Sequence, residues 1–450
     1  MANDDLSDSS SVSNTAFSSN DTASNGENGS GTDLALYVHI PFCVKRCNYC
    51  DFCSSTNVAA IEDYFKALHN HIKSGAWIDS SLRLRSVSSI YFGGGTPSFV
   101  HTHLISVLAT IRETFNVSDD CEITLEANPE SFWIKPAMEL AAAGFTRVSL
   151  GVQSLDDAQL ALLGRLHNVE RAFHALQAGK DAGLRVSADL MLGLPVDGAN
   201  TDASVDGADA SVDGADDIGN NEDSGSSDNS SDADFFQSAD FEKLLKLVEH
   251  ISVYPLTVEE GTELQKMEDA GEVTLPSEDE LAAEILRLEE ALAGHGFKRY
   301  EISSYTRPGQ ESRQNLRYWQ GGDYLGFGAS ASSMLNKPDG GRKRFVMYDS
   351  IEAFLDDSKG ENENPAESDI LSPEEALRES VMLALRTSRG AGSEEIESAG
   401  LTKICDELVE KELLEQDGAY YRCTQQGWLL ANIVFAAVWF GNAPNAQSSC

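Results

Sequence analysis

The sequence predicts an α/β fold: a partial (β/α)6 TIM-like barrel followed by a small, mostly helical C-terminal domain. Two observations carry this reading. Six apolar, β-branched runs alternate with helical patterns along the first two thirds of the chain, and from about residue 278 that alternation gives way to helical periodicity. Strands alternating with helices imply parallel strands joined by crossover helices. Six such units close fully or partly into a barrel, whose chemistry gathers at the C-terminal ends of the strands.

The strand runs are 34–40, 87–92, 121–125, 147–152, 184–192 and 251–256. Helical patterns fill the gaps at 59–73, 104–114, 133–143, 169–182 and 241–250. A further helix at 278–293 and an aromatic-rich stretch, 300–334, lead to a helical unit at 370–440. Its ending, CTQQGWLLANIVF, suits the last strand and helix of a winged-helix-like fold. The expected organisation is a disordered acidic tail at 1–33, a barrel at 34–300 with an acidic insertion at 197–234, a connecting aromatic-rich segment at 301–369, and a winged-helix-like domain at 370–440.

The 450 residues carry 33 Lys and Arg against 73 Asp and Glu, a formal charge of −40. The tail holds 6 acidic residues and the insertion 12, with no basic residue in either, so about −22 remains for the body. That balance disfavours a nucleic-acid binder working through a basic footprint. The tail lacks the apolar periodicity needed to offset the entropy of ordering. The insertion contains the tandem repeat ASVDGAD at 203–216, read as a surface loop expanded by duplication or as an acidic docking segment. With 41% hydrophobic residues there is material for a sizeable core. The longest apolar stretch, 433–440, is far short of a membrane span. The N-terminus shows no signal-peptide pattern, so a cytoplasmic protein that is not integral to a membrane is expected.

Eight cysteines are present, three of them within eight residues: Cys43, Cys47 and Cys50, with Cys53 close behind. Clustered thiols in a long chain without a secretion signal read as metal ligands sooner than as disulfides. A predicted strand runs directly into this C-x3-C-x2-C loop. Three thiolates on one loop can hold three irons of a cuboidal iron–sulfur cluster and leave the fourth open. The rival readings are unliganded thiols or a zinc site with Cys53 as fourth ligand, although zinc usually draws its ligand pairs from two distant knuckles and no second pair exists here. Gly93-Gly94-Gly95-Thr96-Pro97 ends the second strand, where glycines permit either a tight turn or a close approach of backbone to a ligand. Glu126, Gln153 and Asp189 lie at or near the ends of the next three strands. Singly each suits a hydrogen-bonded strand terminus; together they favour a polar ligand at a barrel mouth. His39 and His167 read as structural, and Cys53 as a free thiol.

Placed after a first βα strand, C-x3-C-x2-C resembles the signature of the radical S-adenosylmethionine (SAM) superfamily, and the barrel is accordingly expected to be of the radical SAM type. The fuller string HIPFC-x3-C-x-YCDF is similar to the branch that contains oxygen-independent coproporphyrinogen III oxidases and the HemW haem chaperones. The resemblance covers roughly 34–440 apart from the insertion. It implies a 4Fe-4S cluster on Cys43, Cys47 and Cys50, whose open iron is chelated by SAM and which can, when reduced, cleave the sulfonium. It also implies that Gly94, Gly95 and Thr96 hold the methionine end, and that Tyr37, Glu126, Gln153, Arg165 and Asp189 surround the cofactor. Tyr49 is either a wall for the adenine or a plain structural aromatic.

Within that branch the oxidases carry a further cysteine two positions past the third ligand. Here that position is Phe52, and the CDF spelling resembles the HemW side, as do HISVYPLTVEEGT (250–262) and RPGQESRQNLRYW (307–319). The resemblance therefore implies haem binding and transfer to an acceptor protein of unknown identity, with coproporphyrinogen III oxidase activity as the less favoured alternative. One departure stands out. The HemW segment reads His-Asn-x-x-Tyr-Trp, whereas here Gln314 precedes Asn315, Tyr318 and Trp319. A glutamine amide is a poor haem-iron ligand beside imidazole, so the sequence assigns no haem ligand. Tyr318 and Trp319 suit core packing equally well.

Overall fold

The structure, a computed structural model, describes residues 33–197 and 235–441. The expected acidic tail and insertion fall, except for Asp33 and Asp197, outside the described residues.

A single sheet of twelve strands organises the chain. Strands β1 (Leu34–Ile40), β2 (Ser86–Gly94), β3 (Asn116–Ala127), β4 (Arg147–Gln153), β5 (Arg185–Leu192) and β6 (His250–Pro255) lie side by side in chain order, each parallel to its neighbours. The crossovers contain helices α1 (Ile61–Ser74), α2 (His101–Thr114), α3 (Ile134–Ala143), α4 (Val169–Asp181) and α5 (Ala239–Leu247). These are the six units read from the sequence.

The sheet then grows at both edges. After α6 (Glu278–Gly294), the short strands β7 (Lys298–Glu301) and β8 (Ser304–Thr306) form an antiparallel pair, with β8 against β6. Helix α7 (Arg313–Trp319) leads to the opposite edge, where β9 (Tyr324–Phe327) pairs parallel with β1. Strands β10 (Ser332–Asn336), β11 (Arg342–Val346) and β12 (Glu367–Leu371) continue from it antiparallel. Residues 301–369, expected as a connecting segment, thus supply a seventh parallel strand and most of the antiparallel extensions. Strands of three to five residues give too short a period-2 signal to stand out in sequence. The order runs from β12 to β7 without pairing between those edges, so the barrel is open.

The apolar face of the parallel strands packs on the helices. Leu34, Leu36, Val38 and Ile40 of β1 are fully buried, as are Tyr64, Leu68 and Ile72 of α1, each such side chain stabilising the fold by about 1.5–3 kcal/mol. The inner face is different. Cross-strand register sets Glu126 opposite Ser149, Ser187 opposite His250, and Asp189 opposite both Gly151 and Ser252. Filled (β/α) barrels carry bulky branched side chains at such positions; here serine, glycine and carboxylate leave an internal cavity.

The C-terminal unit has its own core, centred on Val381, Leu385, Leu408, Val434 and Val438. Helix α8 (Pro373–Ala384) opens with a capping box, Ser372 with Glu375. Strand β13 (Ala391–Gly392), helices α9 (Ser393–Ser398) and α10 (Thr402–Glu410), strands β14 (Leu414–Asp417) and β15 (Tyr420–Cys423), and helix α11 (Ala431–Phe440) complete a helical unit with a three-stranded antiparallel sheet. Glu379, 3% exposed, fastens it to the main sheet by ion pairs of 2.7 Å to both Arg342 and Arg344 of β11. Removing one member of such a buried pair costs about 3–5 kcal/mol. Among the described residues no helix is long and apolar enough to cross a membrane.

Candidate metal and cofactor site

A cavity of about 450 Å3 opens at the C-terminal ends of the parallel strands and continues down the inside of the sheet. Its upper wall is the loop after β1. Backbone bonds close that loop at its base: Cys43 N–H donates to Ser55 O (3.0 Å) and Ser55 N–H to Pro41 O (2.6 Å). Asn48 pins its tip, donating from the side-chain amide to Leu162 O (2.8 Å) and from the backbone to Leu163 O (3.0 Å). So held, Cys43, Cys47 and Cys50 all line the cavity, whereas Cys53 does not and packs instead against the core. Burial pushes the Cys43 and Cys50 thiols above their ordinary value, so they become thiolates when a metal replaces the proton.

The glycines after β2 are dictated by close approach. Gly94 has φ +114°, and a Cβ there would stand 2.5 Å from the His39 ring. A Cβ on Gly95 would lie 3.0 Å from Cys43 Sγ. Gly95 and Thr96 donate from their backbone amides to Ile40 O and Phe42 O, both at 2.8 Å, which binds the glycine turn to the root of the cysteine loop.

The following strand ends add polar groups. Glu126, at the end of β3, accepts from Tyr91 Oη at 2.9 Å and from the Gly94 amide at 3.0 Å. Its burial pushes its pKa up. Asp189 of β5 accepts from Ser149 at 2.9 and 3.1 Å; burial, then the neighbouring Glu126 carboxylate, push its pKa up to about 7. Gln153 closes β4 with φ 67° at a register shift in the ladder. A non-glycine residue held there costs about 1–3 kcal/mol, and such strain collects at ligand-binding positions. Arg165 donates from Nη1 to Cys47 Sγ (3.4 Å) and Tyr49 Oη (3.5 Å), and from Nη2 to Asn128 Oδ1 (2.7 Å) and Gly151 O (2.8 Å).

Of the residues singled out in the sequence, Cys43, Cys47, Tyr49, Cys50, Gly94, Gly95, Thr96, Glu126, Gln153, Arg165 and Asp189 line the cavity. Tyr37 does not. Its ring stacks on Tyr91 at 6.2 Å and its hydroxyl meets His39 Nδ1 at 3.1 Å, placing it behind the wall. His39 and His167 have structural partners, Cys53 O at 2.8 Å and Val152 O at 3.2 Å. Gln314 is 1% exposed, donates from its amide to Tyr318 Oη at 2.8 Å, and is not among the lining residues. Sequence reasoning missed Asn128, which donates to Thr96 Oγ1 at 3.1 Å and joins the turn after β2 to Arg165. It stood within the LEANPE string, two residues past Glu126, and that spacing on one strand face was the available signal. Thr124, Ser149, Ser187 and Ser252 went unread as well, since inner and outer faces of a buried strand cannot be told apart from one sequence.

The donor set fits an iron–sulfur cluster. Three thiols share one cavity wall, Arg165 and Thr96 place hydrogen-bond donors on two of the sulfurs, and the fourth nearby thiol points elsewhere. Among the described residues no three His, Cys, Asp or Glu side chains converge on a point suited to a single metal ion; a cuboidal cluster asks for no such convergence, because each thiolate takes its own iron.

An open parallel sheet with three thiols on the loop after its first strand, and polar side chains on the strand ends beside it, is the architecture of a radical SAM protein. Residues 37–203 match the Radical SAM superfamily and residues 371–430 the HemN C-terminal domain. The chain is 30% identical over 410 residues to the heme chaperone HemW of Mycobacterium tuberculosis, covering 90% of this chain and 94% of that one. It is 33% identical over 413 residues to the mitochondrial radical S-adenosyl methionine domain-containing protein 1 of Bos taurus, covering 87% and 84%. Its fold is shared with the coproporphyrinogen III oxidase HemN of Escherichia coli, with TM-score 0.70 and 20% identity over 90% of each chain. The chain belongs to the HemW family of radical SAM proteins.

Proposed function

We propose that this protein is a haem chaperone that carries a 4Fe-4S cluster and SAM, binds haem, and passes it to an acceptor protein in the cytoplasm. The observation that carries the reading is the convergence of Cys43, Cys47 and Cys50 on one cavity with Gly94, Thr96, Glu126 and Arg165, from which Cys53 is left out. When bound, the cluster supplies an iron with an exchangeable position and an electron for the sulfonium of SAM.

The chain's own residues supply the rest. The three thiolates hold the cluster, and Arg165 sets a fixed positive charge beside Cys47. Gly94, Gly95 and Thr96 present backbone to the methionine end of SAM, Glu126 and Asp189 offset positive charge on the cofactor, and Tyr49 walls it from solvent. Phe52 is 63% exposed at the mouth, in the position where the oxidases carry a further cysteine, which supports chaperone over oxidase. The HemW names of relatives that cover most of this chain support haem as the cargo. Gln314, buried and bonded to Tyr318, offers haem iron no ligand, so another side chain takes that role.

Anaerobic reconstitution with iron and sulfide, followed by haem titration with and without SAM, tests the reading. The expected result is a saturable Soret band at one haem per chain and no vinyl formation from coproporphyrinogen III. Cluster-loaded protein that fails to saturate with haem would overturn it.

A further inference from the structure

Below the strand ends the cavity reaches a floor with chemistry of its own. Thr124, Arg147, Ser187, His250, Ser312 and Asn315 line it; Thr124 precedes Glu126 by two residues on β3, Ser187 precedes Asp189 by two on β5, and the register sets Arg147 beside Thr124 and His250 beside Ser187. Three independent features describe what the floor lacks.

The first is a surplus of positive charge. Glu122 is 1% exposed and is the carboxylate partner of two guanidiniums, Arg147 at 3.3 Å and Arg185 at 2.6 Å. Arg147 is itself 2% exposed, and its further bonds run to the neutral carbonyls of Gln310 (2.7 Å) and Glu311 (3.1 Å). The third arginine nearby, Arg313, gives Glu122 only its backbone amide (2.8 Å) and directs its guanidinium to Asp120 (3.1 Å). Glu122 divides its carboxylate between the buried Arg147 and Arg185, whose side chain is 32% exposed, so the buried Arg147 is only partly neutralised and favours an anion.

The second is the direction of a hydrogen-bond chain. Tyr300 Oη accepts from the Ser312 amide and from Asn315 Nδ2, each at 3.3 Å, so its own hydrogen is turned toward His250 Nε2 at 2.8 Å. His250 then donates from Nδ1 to Ser187 Oγ at 2.7 Å. Ser187 keeps its O–H for a further acceptor. The third is Thr124, whose hydroxyl has no partner although the residue is 2% exposed and lines the cavity. Buried hydroxyls are normally satisfied, and one that is not marks a place for a ligand or water.

We propose that the floor is a carboxylate-binding subsite, in which Thr124 and Ser187 donate to an acid group of a second ligand and Arg147 offsets its charge. On β3, β4 and β5 its residues lie nearer the strand starts than those assigned to SAM on the same strands, so it orients a molecule placed between the cofactor and the base of the sheet. The inference rests on the Proposed function only for one source of the acid, a tetrapyrrole propionate; a small free carboxylic acid is the other.

The test uses the full, cluster-loaded chain and the variants Thr124→Val and Ser187→Ala, both of which keep the packing volume near native. Haem and haem dimethyl ester are titrated by absorbance, and propionate is titrated by the shift in melting temperature. The subsite predicts that each variant weakens haem or propionate by about tenfold, the loss of one hydrogen bond to a charged acceptor, while the ester binds all three proteins equally. A loss confined to propionate assigns the subsite to a free acid; a loss for haem but not its ester assigns it to the tetrapyrrole. Anion binding that neither variant alters, or an ester that weakens as much as haem, overturns the subsite. Wild-type protein that binds no haem but loses propionate in both variants would sink the chaperone reading and leave the subsite standing.

Discussion

Arg165 Nη1 stands 3.4 Å from Cys47 Sγ, and the other end of the same guanidinium donates to Asn128 Oδ1 at 2.7 Å. Asn128 in turn donates to Thr96 Oγ1, and Thr96 to Cys43 Sγ at 3.4 Å. One chain of hydrogen bonds therefore connects two sulfurs of the cysteine loop through the ends of β2 and β3 and the segment after β4. The charge beside the sulfur and the geometry of the loop are set by the same side chain.

Replacing Arg165 separates these two roles. Arg165→Met removes a cation next to the sulfur, which disfavours the more negative, reduced cluster. The midpoint potential should fall by about 50–100 mV, read by EPR-monitored redox titration. Arg165→Lys keeps the charge and should recover at least half of that change. Equal potentials in wild type and Arg165→Met would show that the guanidinium does not act on the cluster.

The loop itself makes a sharper demand. Cys43→Ala, Cys47→Ala and Cys50→Ala should each reduce bound iron from about four per chain to near none after reconstitution. Cys53→Ala should keep the wild-type iron content, because its thiol packs against the core outside the cavity. Iron analysis beside the absorbance of the cluster decides it, and loss of iron in Cys53→Ala would refute the ligand set.

Asp189 gives a pH dependence. Its folded-state pKa, raised from 3.8 to about 7 by burial and by Glu126, means that the fold prefers the neutral carboxyl. Below the unfolded value both states are protonated and the effect vanishes. As pH rises from about 4 to 7 the unfolded chain ionises first, so stability falls, and above 7 the cost is constant. Asp189→Asn should therefore raise the stability of the cofactor-free protein by roughly 2–4 kcal/mol at pH 8 and change it little at pH 4. Melting curves across that range check it; a benefit that is larger at pH 4 would contradict the sign.

The glycine turn is expected to tolerate no side chain. Gly94→Ala places a methyl group against His39 in a backbone conformation of φ +114°, costing about 2–4 kcal/mol. Gly95→Ala meets the Pro41 backbone at 2.9 Å and Cys43 Sγ at 3.0 Å, so it should lower cluster occupancy as well as stability. Chemical denaturation and iron content measured on the same samples distinguish the two; equal iron losses in both variants would remove the distinction.

Much of this was legible in the sequence where the physics is local. The six parallel strands announced themselves as apolar, β-branched runs, and the cysteine spacing needs only one loop to be understood. Glu126 and Gln153 fell at strand ends because strand ends are where apolar runs stop, and Asp189 broke the apolar run of β5 from within. What stayed hidden depends on contacts between distant segments. Strand β9 is four residues long, and its pairing with β1 and β10 makes it part of the sheet. Tyr37 shares the inward face of β1 with its register partner Tyr91 on β2, yet only Tyr91 reaches the cavity, and that depends on how the two rings stack. The floor residues Thr124, Ser187 and His250 belong to three strands, and register alone sets His250 beside Ser187 and Thr124 two residues below them.

In the proposed function, three cysteines hold a four-iron cluster and leave one iron for an exchangeable small molecule. Mössbauer spectroscopy of protein reconstituted with 57Fe, recorded before and after SAM is added, tests it most directly. One iron site in four should change its isomer shift on addition while the other three hold theirs. Four sites that stay indistinguishable in both spectra, as four protein ligands would give, would contradict the account.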